Sequence, residues 1–465
     1  MQFYNSLTRK NEDFAPLHKD KVTMYVCGLT PYDHAHLGHA RTYAAFDMLK
    51  RFFIQNGYNV FHIQNVTDVD DKILRRAKES GEKPLAMAEK FHSEARELFR
   101  KLHILDADVY PKVTEHIPEI ISLVQKLAKE GYAYETETGV YFEVGKFKGY
   151  GKLSGQKMDE ILAGSRKEVD ETKRSPEDFA LWKKTSGEAI EFESPWGCGR
   201  PGWHIECSAM AGKYAPALDI HGGARDLIFP HHENEIAQSE AASGKQFVKY
   251  WLHTGFLTVN GEKMSKSLGN FVTLRDVLTE HSPNAVRMFF AMAHYRSPID
   301  YNPDQIRQAE ATVERIFNFM DNVAEALEKK EKKSVKDKAL ENEAKNKFRN
   351  FHHFLAQDFD VPTAITFMFS MMTSTYSHLE GESYDYAALK LIKDEMEKAL
   401  YVIGLVQEKK EVGDKTKELI ELLIELRDDA RKRKDFEASD KIRNRLRQLG
   451  VALEDSGGKT KWKIS

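Results

Sequence analysis

The sequence has 465 residues, of which 41% are hydrophobic and 30% charged, and its formal net charge at pH 7 is −3. These values exclude a disordered chain and predict several globular domains. The sequence has only three cysteines, which excludes a disulfide framework. It contains no run of about 18 apolar residues, which excludes a membrane span. We therefore expect a cytoplasmic protein.

The first predicted elements form a strand–helix–strand unit. The apolar, β-branched segment Lys21–Cys27 ends at Gly28 and predicts a buried strand. Apolar residues at helical spacing follow from Leu37 and stop before Gly57, and Val60–Ile63 predicts a second strand. Such a unit is typical of a parallel sheet with helices on both faces. The predicted fold class is therefore α/β, with a doubly wound, Rossmann-type domain.

Composition divides the rest of the chain. Residues 114–200 are rich in glycine, lysine and glutamate and contain hairpin-like stretches. We interpret them as a connective insertion between two halves of the α/β domain, residues 1–113 and 201–274. The remaining pattern is α-helical, and we divide it into the regions 275–340, 341–407 and 408–465.

A histidine motif lies between the first strand and the first helix. His36 and His39 flank Leu37 and Gly38 where the carboxyl edge of the sheet meets a helix N-terminus, a place that favours an anionic phosphate. Both imidazoles can donate hydrogen bonds to a triphosphate, and Gly38 lets a nucleotide approach the backbone. The alternative is a pair of surface histidines that cap a helix.

The second motif is Lys263–Met264–Ser265–Lys266–Ser267, which we call the lysine loop (residues 263–267). It comes shortly after Asn260–Gly261, a pair that predicts a tight turn. Lys263 and Lys266 on such a loop can close over phosphates and stabilise charge that develops in a transition state. An ordinary basic loop is the alternative, but the two motifs in this order are typical of class I aminoacyl-tRNA synthetases.

A third set of residues predicts a metal site. Cys27 ends the first strand, Cys207 lies farther along the chain, and His231 and Glu235 are i, i+4 neighbours on a predicted helix. Two thiolates, an imidazole and a carboxylate suit tetrahedral zinc. His232 is the rival ligand, and we favour His231 because only His231 has Glu235 one helical turn later. Buried cysteines that act as small apolar residues are the alternative.

Along essentially its whole length the sequence resembles the cysteinyl-tRNA synthetases. The resemblance is carried in order by residues 25–30, 202–208, 221–223, 229–235 and 263–267, and by Pro176–Lys183 in the insertion. One departure is Ala224–Arg225 before Asp226, where the family commonly has Gly–Ser, although the aspartate is retained. Leu37 stands where isoleucine is usual.

The resemblance implies roles for these residues. In the family the positions of Cys27, Cys207, His231 and Glu235 hold zinc, those of Thr30, Trp203, His221 and Asp226 line the amino-acid pocket, and that of Lys266 contacts ATP. With the two motifs, the predicted ATP site consists of His36, Gly38, His39, Lys263, Met264 and Lys266, of which the histidines and lysines are the predicted catalytic residues. We expect one zinc ion per chain, magnesium with ATP, and L-cysteine and the tRNA for cysteine as substrates.

Zinc also gives a physical reason for selecting cysteine. Cysteine and serine differ by one atom, and an apolar pocket separates such pairs only by about 10–200-fold. Zinc binds a thiolate far better than a hydroxyl, because sulfur is the softer ligand and the hydroxyl stays protonated near pH 7. A zinc site can thus discriminate in one step, without a large editing domain.

The C-terminal third is predicted to bind RNA. We expect residues 275–340 to contact the tRNA stem, and the bundle in 341–407 resembles the anticodon-binding bundle of this subclass. Arginine and lysine are dense between Arg427 and Arg447, and Trp462 in a flexible tail can stack on a base. Acidic residues intervene, so a solvated amphipathic helix is the alternative. We expect a monomer.

Two other functions remain open. A ligase with the same adenylate chemistry could pass cysteine to an amino-sugar amine, but relatives of that kind lack the C-terminal RNA-binding part. A zinc-stabilised RNA-binding protein without catalysis is the other, and the intact histidines and lysines of the two motifs argue against it.

Overall fold

The structure, a computed structural model, describes residues 1–156, 171–264, 269–407, 414–456 and 459–464. Contacts divide the chain into two compact units, Met1–Val406 and Gln407–Ser465. Among the described helices, none combines the length and the apolar character that crossing a bilayer requires. The boundaries of the six regions given above remain predictions.

The chain begins with a hairpin and the strand–helix–strand unit. Their elements are β1 (Gln2–Asn5), β2 (Lys10–Asp13), β3 (Lys21–Leu29), α1 (Leu37–Gln55) and β4 (Asn59–Val66). β3 is an almost continuous apolar run because both of its faces are covered. α1 begins after its cap His36 and ends before Gly57, which has a φ of 86°. The predicted strand–helix–strand unit is confirmed.

Three helices and a small antiparallel sheet follow. They are α2 (Asp71–Ser80), α3 (Pro84–Lys101) and α4 (Ile117–Lys129), then β5 (Ala133–Glu135), β6 (Gly139–Phe142), β7 (Phe179–Lys184) and β8 (Gly199–Pro201). The four strands lie side by side in chain order. A separate apolar cluster that includes Phe142 and Trp182 joins this sheet to α4 and to Ile205, Met210 and Ala237 farther along the chain. The stretch predicted as an insertion thus shares its core with the part of the chain that follows it.

The chain returns to the main sheet through α5 (Trp203–Tyr214), β9 (Leu218–Ala224), α6 (Glu233–Ser243) and β10 (Val248–Thr254). The main sheet is parallel throughout, in the order β10–β9–β3–β4, which confirms the predicted parallel α/β fold. From the central pair β3 and β9 the chain continues outward in opposite directions. The crevice at their carboxyl ends is therefore the topological switch point, where ligands bind in such folds.

A short hairpin and two helices connect the main sheet to the helical region. The elements are β11 (Leu257–Val259), β12 (Glu262–Lys263), α7 (Leu274–Glu280), α8 (Pro283–Ala291) and β13 (Ile299–Tyr301). Asn260 and Gly261 have φ values of 52° and 80°, as a two-residue turn between antiparallel strands requires. The turn predicted from this pair is confirmed, and the lysine loop begins at the end of β12.

The helical region contains α9 (Pro303–Lys329), α10 (Lys338–Leu355), α11 (Val361–Leu379) and α12 (Tyr386–Ile403), with the two-residue strands β14 (Lys333–Ser334) and β15 (Ser383–Tyr384). Each of the four helices begins at a polar cap whose side chain accepts a backbone N–H; the caps are Asn302, Asp337, Asp360 and Asp385. Their apolar faces belong to the same core cluster as α1 and β3.

A fully buried ion pair joins α1 to α8 and α12. Arg287 of α8 donates to Asp47 Oδ2 of α1 at 2.6 Å, and its Nε donates to the carbonyl oxygen of Ile403 at 2.9 Å. The side chains of Arg287 and Asp47 are 0% and 1% exposed. The helix that begins at the histidine motif is thereby bound to the end of the helical region.

The N-terminal strand is bound to a distant helix connection. The amide of Tyr4 donates to Asp358 Oδ1 at 2.8 Å, and the amide of Asp358 donates to the carbonyl oxygen of Gln2 at 2.8 Å. Arg296 Nε donates to Asp358 Oδ2 at 2.7 Å. Phe3, between these contacts, is fully buried in the main core.

The second unit consists of α13 (Asp414–Lys432), α14 (Phe436–Gln448) and the hairpin β16 (Val451–Ser456) and β17 (Lys459–Ile464). Arg427 of α13 is buried and donates to both oxygens of Asp455, at 3.0 and 2.7 Å. The prediction of a flexible tail around Trp462 is wrong, because Trp462 lies in β17 and pairs with Leu453 across the hairpin.

Candidate active site

Four buried side chains, those predicted as metal ligands, meet beside β3 and β9. Cys27, Cys207, His231 and Glu235 each offer one donor atom, and these four atoms lie within 4.8 Å of one another. His231 Nε2 is 3.1 Å from Glu235 Oε1, and Cys27 Sγ is 3.8 Å from the same oxygen. None of the four residues is more than 6% exposed. A compact, shielded group of sulfur, nitrogen and oxygen donors can hold a metal ion.

Three segments of the fold deliver these side chains. Cys27 lies near the carboxyl end of β3, and Cys207 lies in the first half of α5. The segment Ile228–His232 is kinked at Phe229, whose backbone is extended, and its end leads directly into α6, so His231 and Glu235 lie one helical turn apart. Because Glu235 is in the first turn of α6, the helix N-terminus also favours its negative charge.

A surrounding layer orients His231 and Glu235. His204 Nδ1 is 3.0 Å from His231 Nδ1, which leaves Nε2 of His231 facing Glu235. Gln238 Nε2 donates to the carbonyl oxygen of His204 at 2.8 Å. His221 Nε2 donates to Glu235 Oε2 at 2.8 Å. Partners of this kind commonly fix the rings and carboxylates that bind a metal.

A chain of hydrogen bonds reaches Cys27 from the N-terminal hairpin. His232 Nε2 is 3.3 Å from Cys27 Sγ, and its Nδ1 is 2.8 Å from His253 Nε2. His253 Nδ1 is 2.8 Å from the hydroxyl of Ser6. The carboxyl end of β10 and the turn after β1 thereby support the metal-binding cluster.

A second, overlapping group of donors consists of Cys27, His221, His232 and Glu235, also within 4.8 Å of one another. It has one sulfur donor, whereas the group with Cys207 and His231 has two. Because thiolates are the preferred soft ligands of zinc, the group with two cysteines fits zinc better. His232 fits the role of a hydrogen-bonding partner of Cys27.

The charges of the cluster explain why a cation fits it. A hydrogen bond from Cys27 lowers the pKa of Cys207 to about 6, while burial raises the pKa of Cys27 well above its usual value. Burial raises the pKa of Glu235, but His221 and His231 outweigh burial and lower this pKa to about 2. Burial lowers the pKa of His231, but Glu235 and Cys207 outweigh burial and raise this pKa to about 10. Two anions thus face one imidazolium, and a divalent cation can replace the protons on His231 and Cys27.

The two histidines of the first motif cap α1. The amide of His39 donates to His36 Nδ1 and the amide of His36 donates to His39 Nδ1, both at 3.3 Å, and the rings stack with centroids 3.5 Å apart. Burial lowers the pKa of His36 to about 4 and that of His39 well below its usual value, so both rings are neutral near pH 7. With each Nδ1 accepting, each ring carries its proton on Nε2. Helix capping and phosphate binding are therefore compatible roles.

The start of the lysine loop lies close to this cap. A Cβ on Gly38 would be 3.7 Å from Met264 Cε, so Met264 approaches the histidine motif. Lys263 ends β12, and its side chain lies outside the described structure, as does all of Lys266. The ATP-binding roles of Met264 and the two lysines stay predictions.

Similarity to known proteins decides the family. Residues 13–311 match the family of tRNA synthetases class I (C) catalytic domains. The chain is 48% identical to the cysteine--tRNA ligase of Thermococcus gammatolerans, over 100% of this chain and 99% of that protein. It is 47% identical to the cysteine--tRNA ligase of Methanococcus maripaludis, over 98% of this chain and 97% of that protein. The chain belongs to the cysteine--tRNA ligase family.

Solved structures of other synthetases share the fold of this cysteine--tRNA ligase family member. Mycobacterium tuberculosis methionyl-tRNA synthetase in complex with methionyl-adenylate has a TM-score of 0.64 at 16% identity, over 82% of this chain and 89% of that chain. The Agrobacterium radiobacter LeuRS in its complex with tRNA and LeuAMS has a TM-score of 0.63 at 10% identity, over 84% of each chain. At such identities the likeness establishes the class I fold alone.

The predicted amino-acid pocket of the cysteine--tRNA ligase is partly assembled around the cluster. The ring of Trp203 is 4.5 Å from that of His231, and His221, fully buried, stacks on Trp251 at 4.6 Å. Thr30 lies just past the end of β3 and is half-buried. Asp226 is exposed in the turn after β9, and its side chain makes no hydrogen bond or ion pair with any described residue. The structure thus brings Trp203 and His221 to the cluster, and the pocket roles of Thr30 and Asp226 stay predictions.

Sequence reasoning missed three residues that support the ligands. His204 lies in the same motif as Cys207, and its role was not recognised. His253 is the next-to-last residue of β10, where the carboxyl ends of parallel strands converge, and this position could have identified it. Ser6 carries no signal in the sequence, because its role depends on the packing of the N-terminal hairpin.

Proposed function

We propose that in this cysteine--tRNA ligase one zinc ion, bound by Cys27, Cys207, His231 and Glu235, selects L-cysteine for activation with ATP and transfer to the tRNA for cysteine. The observation that carries the proposal is the buried cluster of four donor atoms at the switch point of the sheet. Three free thiols and the absence of a disulfide among the described residues agree with a cytoplasmic enzyme.

The reaction has two steps. An oxygen of the cysteine carboxylate attacks the α-phosphorus of ATP, which forms cysteinyl-adenylate and releases pyrophosphate. A terminal ribose hydroxyl of the tRNA then attacks the carbonyl carbon, which forms the ester and releases AMP. Catalysis depends on positioning the reactants and on stabilising the charge that develops.

The ATP site is built around the N-terminus of α1. His36 and His39 donate their Nε2 protons to the triphosphate, whose charge the helix N-terminus also favours. Gly38 leaves room for the nucleotide, and Met264 lies beside Gly38. Lys263 and Lys266 stabilise the pentavalent transition state, with magnesium accompanying ATP.

The cysteine site lies next to the metal cluster. When bound, zinc supplies a soft Lewis acid that favours the thiolate of cysteine over the hydroxyl of serine. Trp203 covers the cluster on its solvent side, since 39% of its surface is exposed while the ligands are buried. His221, which donates a hydrogen bond to Glu235, forms the floor of the proposed pocket. Thr30 and Asp226 complete the proposed pocket at its rim.

The second unit is proposed to bind tRNA. Basic side chains of α13, α14 and the turn between them are exposed; they include Arg431, Lys432, Arg433, Lys434, Arg443, Arg445 and Arg447. Such side chains can neutralise phosphates. Arg427 is excluded from this surface because Asp455 binds it. We expect the enzyme to act as a monomer, with residues 275–407 contacting the stem and the anticodon.

The amino-sugar ligase is the second candidate. It shares the adenylate chemistry, and nothing in the metal cluster separates the two activities. The similarity to the cysteine--tRNA ligase of Thermococcus gammatolerans extends over 99% of the length of that protein, which favours a tRNA acceptor.

Three measurements test the proposal. Purified protein should contain one zinc ion per chain and catalyse ATP–pyrophosphate exchange that depends on cysteine and not on serine, and it should charge the tRNA for cysteine. Cys207→Ala should lose zinc and exchange together. Cys198→Ala is the matched control, because Cys198 is an exposed thiol outside the cluster. Full exchange activity in protein without zinc would contradict the proposed role of the metal, and exchange without charging of any tRNA would favour the amino-sugar ligase.

A further inference from the structure

A single carboxylate on α3 binds two segments that flank the predicted ATP site. His34 Nδ1 donates to Glu94 Oε1 at 2.7 Å, and Arg275 NH2 donates to Glu94 Oε2 at 2.7 Å. The Glu94 side chain is only 15% exposed, whereas those of His34 and Arg275 are 40% and 56% exposed. Glu94 is thus the inner, fixed member of the group, and both of its oxygens are used.

The two partners lie on opposite arms of a backbone bridge. The amide of Leu37 donates to the carbonyl oxygen of Val272 at 3.1 Å, and the amide of Leu274 donates to that of Ala35 at 2.9 Å. His34 lies on the arm that leads into the histidine motif. Arg275, in the first turn of α7, lies on the arm that comes from the lysine loop. Glu94 therefore contacts both arms beside the point where they pair.

The base of this contact is rigid. Phe91, one turn before Glu94 on α3, packs its ring edge-to-face against His34 with centroids 5.1 Å apart. Phe91 in turn belongs to a small apolar core between α2 and α3 that includes Ile73 and Met87. A displacement of either arm must therefore break a contact with a helix that is itself fixed by packing.

We propose that Glu94 is a positioning residue for adenylate formation, which through His34 and Arg275 holds the paired segments 34–37 and 272–275 and so keeps His36 and His39 at the correct distance from the triphosphate. The inference rests on the proposed function of His36 and His39 in binding ATP. A misplacement of about 1 Å between groups that act on one substrate can lower a rate by about 10²-fold. The triphosphate reacts only in the first step, because pyrophosphate has left before the tRNA attacks. Loss of Glu94 should consequently slow activation and leave transfer unchanged.

The substitution Glu94→Gln tests this directly. Glutamine lacks the negative charge that His34 and Arg275 share: its Oε1 can still accept from Arg275, but its Nε2 can bond to Nδ1 of His34 only after the ring changes tautomer. We expect kcat for cysteine-dependent pyrophosphate exchange to fall by about 10–100-fold. The single-turnover rate of transfer from preformed cysteinyl-adenylate to tRNA should stay within about twofold of wild type. Glu97→Gln is the matched control: it makes the same change on the same helix at an exposed residue.

The partner variant separates a positioning role from a loss of stability. Arg275→Gln changes a largely exposed side chain, so it should fold normally and reproduce the loss in exchange. The double variant should be no slower than the more impaired single variant, because both changes break one shared contact.

Equal losses in exchange and transfer, independent effects of the two substitutions, or normal exchange in Glu94→Gln would each overturn the inference. A wild-type protein without cysteine-dependent exchange would instead refute the proposed function itself.

Discussion

Replacing Gly28 by alanine tests how closely the sheet holds the first metal ligand. Gly28 follows Cys27 in β3, and its amide donates to Asn65 Oδ1 at 2.8 Å. An added Cβ would lie 1.6 Å from the backbone carbonyl oxygen of Asn65, although such contacts essentially never come below 3.0 Å. β3 and β4 must therefore separate by about 1.4 Å at this point.

This displacement is larger than a metal site tolerates. Bond lengths from a metal to its ligands vary by only about 0.2 Å, so moving the residue next to Cys27 by much more than that removes its sulfur from the metal. We expect Gly28→Ala to lose bound zinc. Overpacking should also lower the free energy of unfolding by about 1–3 kcal/mol.

The assay is metal analysis of the purified variant, together with melting temperatures measured with and without a chelator. Gly212→Ala is the matched control, since it adds the same methyl group on α5, which carries Cys207, and meets nothing within 4 Å. The control should retain zinc and gain about 0.5–1 kcal/mol from its better helix propensity. If Gly28→Ala keeps one zinc per chain at normal stability, β3 yields without moving Cys27, and the positional reasoning is wrong.

Three further outcomes are expected. Lys266→Ala should lower kcat and kcat/KM for exchange together by about 10²–10³-fold, and a near-normal kcat would remove Lys266 from the transition state. A chain that ends at Val406, the boundary of the first unit, should keep exchange but lose most tRNA charging, whereas full charging would exclude the second unit from RNA binding. Asp47→Asn should destabilise the protein by about 3–5 kcal/mol in denaturant unfolding, because Arg287 is then buried without its counter-charge; a loss below 1 kcal/mol would contradict this.

Much of the catalytic half is predictable from sequence because its elements follow from local patterns. The apolar run before Gly28, the helical spacing after Leu37 and the Asn260–Gly261 pair each predict the element that the structure contains. The joining of His231 and Glu235 in one cluster also follows from local spacing. Their ligand types suggest a set with the two cysteines from other segments, and the resemblance to a family favours this set over buried cysteines that act as small apolar residues.

The missed features depend on contacts between distant segments. Ser6, His253 and His232 form one chain of hydrogen bonds although they come from three parts of the sequence. Glu94 is one of many helix-surface glutamates until α7 is packed beside it. The hairpin around Trp462 is a different case, since Gly457–Gly458 between two alternating segments is itself a hairpin signal that the helical interpretation overlooked.

The attachment of the N-terminal strand to Asp358 has a consequence for synthesis of the protein. The contact between Tyr4 and Asp358 joins residues 354 positions apart. At translation rates of about 5–20 residues per second, the strand waits roughly 20–70 s for its partner to emerge from the ribosome. During that time Phe3 has no complete core to enter, so the nascent chain carries an unburied aromatic side chain in its N-terminal hairpin for most of its elongation. We expect chaperones that bind early in translation to matter more for this protein than its compact first unit suggests.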